Sequence, residues 1–410
     1  MNILYILNNF PKLSETFVLN EITQLVDLGH KVYIVGFYKP NKTKTHDKVK
    51  EYDLIKKTKY LTPVALKISN IIKDLLTFGR GIKLLFEDRK IEKLKFLKLI
   101  YQNDKNTSFL RKITSLLYCW ETIKFIEKKD IKHIHCHFAS ENIRLAYLIN
   151  KITKIPYTFT THAIDIFYKP SKDIKKWADD AKKVITISNY NKQYMHYNFG
   201  IPLEKIEVIH CGMCMDEFKP VKKYNHDKFR IVSVCRFIEK KGISYLIEAC
   251  KILKNRDKSF SCEIVGKGPL EREFIKLIKN NNLKGNVKLK KPMKHNKIMR
   301  FIQTGSVCVL PCIKASNNDM DGIPVVLMES MAMDIPTIST DISGIPELID
   351  NSVNGIIVPQ KDASALADAI LKIKEDRGFA EKVRKKSREK IEDKFNIKKN
   401  VKKLVEVFEG

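Results

Sequence analysis

The sequence predicts two successive doubly wound α/β domains, and three observations carry that expectation. At 410 residues the chain is long enough for about two domains. Short continuous apolar runs alternate with helical segments through both halves, the pattern of parallel strands covered on both faces. The alternation also starts afresh after a polar, basic stretch near residues 216–228, as a second domain would.

The first half opens with the apolar run Asn2–Leu7, which reads as a buried strand. A helix over Glu15–Leu28 stops at Gly29, and Lys31–Gly36 follows at once as a second strand. Further strands are expected at Lys132–His135, Tyr157–Thr161 and Val184–Ser188, with helices after the last two. The segment Gly200–Gly212 closes this half, and Asp216–Pro220 with the basic run to Lys228 reads as a hinge. The second half begins with strand Arg230–Cys235 and a helix from Ile243. Strands at Ser261–Val265, Val287–Leu289, Val307–Leu310 and Thr337–Ser339 come next, then Gly355-Ile-Ile-Val-Pro359. Helix formers and lysines fill the tail from Ala363 to Phe408, and no internal repeat or low-complexity tract is present.

Composition narrows the class. Hydrophobic residues make up 44% of the chain, enough for sizeable cores, while no apolar run approaches the ~20 residues of a membrane span. The first apolar run has no basic flank or cleavage site, so a signal peptide is not expected. Nine scattered cysteines, an odd count, fit a reduced cytoplasmic setting. Cys211 and Cys214 are two residues apart, but no second pair completes a metal framework, and no metal is expected. The formal net charge of +29 calls for an anionic partner. Residues 56–130 carry 18 lysines and arginines against 8 acids, with apolar residues at helical spacing such as Ile68, Ile71, Ile72, Leu75 and Leu76. That stretch reads equally as an anionic-membrane surface and as ordinary solvated helix faces. A nucleic-acid partner is not expected, because no aromatic platform or reading motif accompanies the charge.

Ligands of doubly wound folds sit at the carboxyl ends of strands, so the residues just after each strand carry the chemistry. Arg236 and Lys241 follow the first strand of the second half and suit a diphosphate. Gly266 and Gly268 follow the next, where glycine lets the backbone approach a ligand. They do not make a dinucleotide fingerprint, since the third glycine is missing. After Pro311 and Cys312 comes Asp321-Gly-Ile-Pro-Val-Val-Leu-Met-Glu329, a tight turn of Gly322, Ile323 and Pro324 that opens a helix. Free amides at such a helix start favour phosphate, and the two carboxylates suit sugar and ribose hydroxyls. Ser343-Gly-Ile-Pro-Glu347 precedes a further helical turn, with Glu347 either supporting the site or purely structural. Taken alone, each feature is also what an ordinary solvated loop would show.

The ordered set Arg236-x4-Lys241-Gly242, Val265-Gly-x-Gly-Pro269, Gly322-Ile-Pro-Val-Val-Leu-Met-Glu329, Gly344-Ile-Pro-Glu347 and Asn354-Gly355 resembles glycosyltransferase family 4. In the first half, Asn9-Phe-Pro-Lys-Leu-Ser-Glu-Thr-Phe17, His135-Cys-His-Phe-Ala139 and Thr161-His-Ala-Ile-Asp165 are similar to its bacterial exopolysaccharide branch, colanic-acid types included. The resemblance covers almost the whole chain and is loose only between about 56 and 130. It implies a GT-B fold, two Rossmann-like domains facing a central cleft. Residues 1–208 would bind the acceptor, residues 209–392 the nucleotide sugar, and a last helix over 393–410 would cross back. It further implies a retaining, metal-independent hexosyltransferase without a cofactor. The donor would be a nucleotide sugar, UDP-hexose above all, and the acceptor a glycan or lipid-linked oligosaccharide. The protein would lie peripherally on the cytoplasmic face of the inner membrane.

The same resemblance assigns roles by position. Arg236 and Lys241 would hold the donor diphosphate, with backbone near Gly266, Gly268, Gly322, Ile323, Pro324, Val325 and Val326 around the phosphate and sugar. Glu329 would take the ribose hydroxyls, Asp321 the donor sugar, and His162 would approach that sugar from the first domain. Ser14, Glu15 and Asp165 would lie on the acceptor side, with orientation of His162 an alternative for Asp165. Two positions depart from the family pattern: Asp321 replaces a glutamate and Cys312 a serine. Competing readings are a non-catalytic sugar-nucleotide-binding scaffold of a polysaccharide complex and another GT-B sugar-nucleotide enzyme.

Overall fold

In the computed structural model, residues 1–12, 15–40, 45–61, 109–220, 229–256 and 258–410 are described. Ser14, most of the basic region between 56 and 130, and the expected hinge over 221–228 lie outside them. Among the described residues, the first sheet comprises β1 (Asn2–Asn9), β2 (Lys31–Tyr38), β3 (Thr58–Tyr60), β4 (His133–His137), β5 (Tyr157–Thr161), β6 (Lys183–Thr186) and β7 (Ile206–Val208). Their spatial order is β3-β2-β1-β4-β5-β6-β7, and every pairing is parallel. The second sheet comprises β8 (Arg230–Arg236), β9 (Ser261–Lys267), β10 (Val287–Lys290), β11 (Val307–Val309), β12 (Thr337–Thr340) and β13 (Ile356–Val358). Its order is β10-β9-β8-β11-β12-β13, again all parallel.

Both sheets reverse their winding at the first strand, between β1 and β4 and between β8 and β11. A crevice opens at the carboxyl end of each such switch point, where the flanking connections run to opposite faces. His137 ends β4, Thr161 ends β5 and Arg236 ends β8, so the chemically interesting residues gather at these two crevices.

The central strands are continuous apolar runs because helices cover both faces. Ile3, Leu4, Tyr5 and Ile6 in β1 are fully buried, as are Ile231 and Val232 in β8. β4 is the exception. Its alternate residues His133, His135 and His137 share one face and are all buried. Thr158 of β5 stands beside them, its hydroxyl 2.9 Å from His133 Nε2 and 2.8 Å from His135 Nδ1. Phe408 stacks on the His133 ring with centroids 4.4 Å apart.

That phenylalanine comes from the far end of the chain. The polypeptide passes between the sheets twice, side by side: Met213 N donates to Phe395 O at 2.6 Å and Ile397 N to Met213 O at 3.1 Å. The helix Ile397–Glu409 then lays Ile397, Val401, Leu404 and Phe408 into the core built on Ile3, Tyr5, Val18 and Ile22.

The two domains also meet directly across the cleft. A Cβ on Gly322 would stand 2.7 Å from Ile187 Cδ1, so the second domain's turn rests against the loop after β6. Glu347 reaches over to the start of the helix Asn189–Phe199. It accepts from the amides of Asn189 and Tyr190, both at 2.9 Å, and from Asn189 Nδ2 at 3.0 Å, while His210 Nε2 lies 3.3 Å away. Burial favours the neutral acid, but these donors outweigh it and hold the carboxyl below its ordinary range. A carboxylate at a helix start satisfies orphan amides and meets the positive end of the dipole. Glu347 is thus an interdomain latch. Glu347→Ala should lower stability by about 1–3 kcal/mol and speed hydrogen exchange at Asn189 and Tyr190; exchange unchanged at both amides would contradict the latch.

Candidate active site

On the second-domain side, β8 ends at Arg236 and the chain makes a short helical turn over Glu239–Lys241. Gly242 reverses it at φ +62°, and a Cβ there would lie 1.8 Å from Pro311 O, so only glycine lets this loop dock on the segment after β11. Ile313 N donates to Lys240 O at 2.9 Å and fixes the docking. Both lysines then point at acids of the same segment. Lys240, buried, lies 2.9 Å from Asp319 Oδ1 and 3.5 Å from Asp321 Oδ1. Lys241 Nζ sits 2.6 Å from Asp321 Oδ2, which also accepts from the Cys312 thiol at 3.3 Å.

Burial alone would raise the Asp321 carboxyl, but Lys241 and Lys240 overcome it and hold it at about 2. Burial likewise pulls the Lys241 ammonium down, and Asp321 more than compensates, raising it above its ordinary value. In this structure the oxygens of Asp321, the residue expected at the donor sugar, are engaged by Lys241, Lys240 and Cys312, and the pairing orients the Lys241 ammonium. The Arg236 side chain is exposed at the strand end, and no ion pair holds its guanidinium among the described residues.

The glycines at the end of β9 are set by packing. A Cβ on Gly266 would meet Cys235 O at 2.0 Å, and one on Gly268 would meet Phe237 O at 2.4 Å. Their small size admits the neighbouring chain.

The turn Gly322-Ile323-Pro324 leads into the helix Val325–Ala332, with Pro324 as its N-cap. Its first amides, at Val325 and Val326, have no intrahelical acceptor and are half-buried beside the cleft. Glu329 lies one turn further on and is buried, with Oε1 3.8 Å from His295 Nδ1. Burial, with a smaller push from Glu217, raises its carboxyl to about 7.

The first-domain side contributes His162, just after β5. Its backbone amide donates to Asp165 Oδ1 at 3.0 Å, and its carbonyl accepts from Asn191 Nδ2 at 2.9 Å. The ring is wedged between Phe17 and Phe138, and its Nε2 lies 3.1 Å from His137 Nδ1. Burial first, and His137 second, keep the imidazole neutral at physiological pH. Ala163, the next residue, lies 3.9 Å from a Cβ placed on Gly322, so the His162 loop and the Asp321–Glu329 segment adjoin. Asp165, expected on the acceptor side or as the residue that orients His162, contacts the His162 backbone. It is buried, its Oδ2 accepts from the Ala139 amide at 2.8 Å and its Oδ1 from that of His162. Even so, burial raises its carboxyl to about 6. Glu15 is half-buried near the surface, ion-paired to Lys12 at 2.5 Å beside Phe10 and Val18.

Lys240, Glu21 and His137 escape the sequence reading of the site. The doublet Lys240-Lys241 does not reveal which lysine turns inward. Glu21 lies inside an ordinary amphipathic helix, and only the fold brings it within 2.9 Å of His137.

Two nucleotide-sugar-type α/β domains with cations, a helix start and carboxylates at their facing switch points define a GT-B glycosyltransferase. Residues 215–390 match the family described as glycosyl transferases group 1, and residues 99–217 match Glycosyltransferase Family 4. The amylovoran biosynthesis glycosyltransferase AmsK of Erwinia amylovora is 31% identical over 92% of this chain and 91% of its own length. The putative colanic acid biosynthesis glycosyltransferase WcaL of Salmonella typhimurium is 31% identical over 90% and 89%. The chain belongs to glycosyltransferase family 4 and has the role of a nucleotide-sugar glycosyltransferase in polysaccharide synthesis. Among solved structures, a glycosyltransferase from Rickettsia africae superposes with a TM-score of 0.72 at 20% identity, covering 99% of this chain and 97% of that one. Anabaena HepE in complex with UDP gives 0.71 at 14% identity, covering 99% of both chains.

The raised Glu329 carboxyl has a stability consequence. Between its ordinary value of 4.5 and about 7, the folded chain keeps a proton that the unfolded chain has released. The stabilisation is whole below 4.5 and is lost as pH rises through 7, about 3 kcal/mol in all. Glu329→Gln removes this slope, so its urea midpoint should gain on the wild type between pH 5 and pH 8; a constant difference would contradict the raised value.

Proposed function

We propose that the protein transfers a hexose from a UDP-hexose, with retention and without a metal, to a lipid-linked glycan. The observation that carries this reading is the open helix start at Val325 and Val326, flanked by the Asp321-bound ammonium of Lys241 and by buried Glu329. Amides and a lysine suit the diphosphate, and a carboxylate suits vicinal ribose hydroxyls. The UDP bound to HepE, a protein of the same fold, supports the choice of base.

In this reading Arg236 and Lys241 draw charge off the leaving diphosphate as it develops, and Asp321 keeps Lys241 aimed at it. The lysine, the arginine and the helix start supply the positive field that a metal provides in other transferases. His162 meets the donor sugar from the opposite wall. Asp321 is engaged by Lys241, Lys240 and Cys312 and Glu329 is assigned to the ribose, which favours front-face substitution. The bond from the anomeric carbon to the diphosphate breaks while the acceptor oxygen bonds to the same face. The acceptor's proton passes to the departing phosphate oxygen. Glu15 and Ser14 border the acceptor.

The basic stretch over 56–130 would seat the protein on an anionic membrane, where lipid-linked acceptors lie. No helix among the described residues is long and apolar enough to cross a membrane.

Incubation with labelled sugar nucleotides and membrane lipid extract tests the proposal, with the product anomer read by NMR. UDP-hexose should turn over in the presence of chelator to an α-linked product. Glu329→Ala and Lys241→Ala should each lower the rate about 100-fold or more. A β-linked product, loss of turnover in chelator, or near-wild-type rates in either variant would overturn it. Separately, exchanging the lysines between Lys56 and Lys98 for glutamine should release the protein from anionic vesicles; unchanged pelleting would assign that charge to solvated surface.

A further inference from the structure

Two first-domain side chains outside the proposed donor and acceptor contacts meet behind His162. Glu21 comes from the helix Thr16–Asp27, which follows the Asn9–Phe17 motif, and His137 comes from the end of β4. Glu21 Oε1 accepts from the Tyr5 hydroxyl at 2.6 Å and lies 2.9 Å from His137 Nε2. On its other side, His137 Nδ1 lies 3.1 Å from His162 Nε2. The chain Glu21–His137–His162 is therefore continuous at hydrogen-bond distance. His137 and His162 are both buried and Glu21 is partly so.

The direction of each bond follows from what each atom can offer. Burial, and then Glu21 itself, raise the Tyr5 hydroxyl far above its ordinary range, so it keeps its proton and donates. A carboxylate only accepts, so His137 Nε2 carries hydrogen towards Glu21. With its hydrogen on Nε2 alone, His137 presents a lone pair at Nδ1, and His162 donates to it from Nε2. That leaves Nδ1 of His162 as an acceptor, and no hydrogen bond among the described residues occupies it.

We propose that Glu21 and His137 are positioning residues that lock His162 in its Nε2–H tautomer, so that its Nδ1 accepts a hydroxyl hydrogen of the donor sugar. The far partner of a histidine sets which nitrogen faces the ligand. Here the far partner is a second histidine, itself set by a carboxylate. The proposal rests on His162 meeting the donor sugar. Glu21, His135 and His137 also bring three ligand atoms within 4.8 Å of one another, as a metal site would. Each is already engaged: His135 by Thr158 and Thr160 hydroxyls, the other two by Tyr5 and His162.

Long-range proton–nitrogen NMR of the histidine-labelled full-length protein reads the tautomer directly, with His162→Ala assigning the resonance. The wild type should show His162 protonated at Nε2. Glu21→Gln, whose amide can donate to His137 Nε2, should give mixed tautomers at His162. It should also lower kcat about tenfold with donor KM changed by less than about twofold. Glu21→Asp should recover part of both. A wild-type His162 protonated at Nδ1 would overturn the proposal. So would a Glu21→Gln variant that loses kcat with its tautomer unchanged, or stoichiometric metal in the purified protein whose removal shifts these resonances. Unchanged turnover in His162→Ala would instead refute the sugar contact, while the tautomer readout, which needs no substrate, still decides the relay.

Discussion

A lysine ammonium in a closed cleft must have a partner, and the pairing of Lys241 with Asp321 is the interaction on which the donor side depends. Removing one member of a buried pair costs about 3–5 kcal/mol, because the other is left charged and desolvated. The loop Glu239–Lys241 can bring its ammonium to Asp321 only because Gly242 lets that loop touch Pro311. Cys312 donates to the same carboxylate and Lys240 faces its other oxygen. The Asp321 backbone then leads straight through Gly322 into the helix start and on to Glu329. The cation, the amides and Glu329 are thus set by one short stretch of chain, anchored at one ion pair.

The opposite wall is built by a different logic. β4 carries three histidines on one buried face, a costly choice unless every ring nitrogen finds a partner. Threonines of β5, Glu21 and the ring of Phe408 supply most of that environment, and His133 Nδ1 is left without a hydrogen-bond partner among the described residues. The last helix is therefore part of the first domain's interior, and the end of the chain helps to hold the His162 surroundings. Glu347 joins the walls by capping a first-domain helix from the second domain. Opening the cleft must break that cap, which gives donor entry and product release a defined contact to pass through.

Much of this was legible in the sequence because parallel sheets are read from continuous apolar runs. Those of β1, β2 and β8 stand out against charged helices, and their carboxyl ends locate loops that matter. The three-residue edge strands β3 (Thr58-Lys-Tyr60) and β7 (Ile206-Glu-Val208) carry no such run, since an edge strand needs no apolar neighbour on both sides. The contacts that spacing does not show mostly join residues distant in sequence. Phe237 lies on Gly266 and Gly268. The amides of Ala139 and His162 sit on the Asp165 oxygens. Which of Lys240 and Lys241 faces Asp319 and which faces Asp321 is decided by the turn at Gly242, and spacing carries no trace of it.

The proposed donor pocket is formed jointly by Lys241, the helix start at Val325 and Glu329. A crystal structure with UDP bound is its decisive test. The diphosphate should lie against Lys241, Arg236 and the amides of Val325 and Val326, with both ribose hydroxyls within hydrogen-bond distance of Glu329. A nucleotide bound elsewhere, or one whose ribose makes no contact with Glu329, would contradict it.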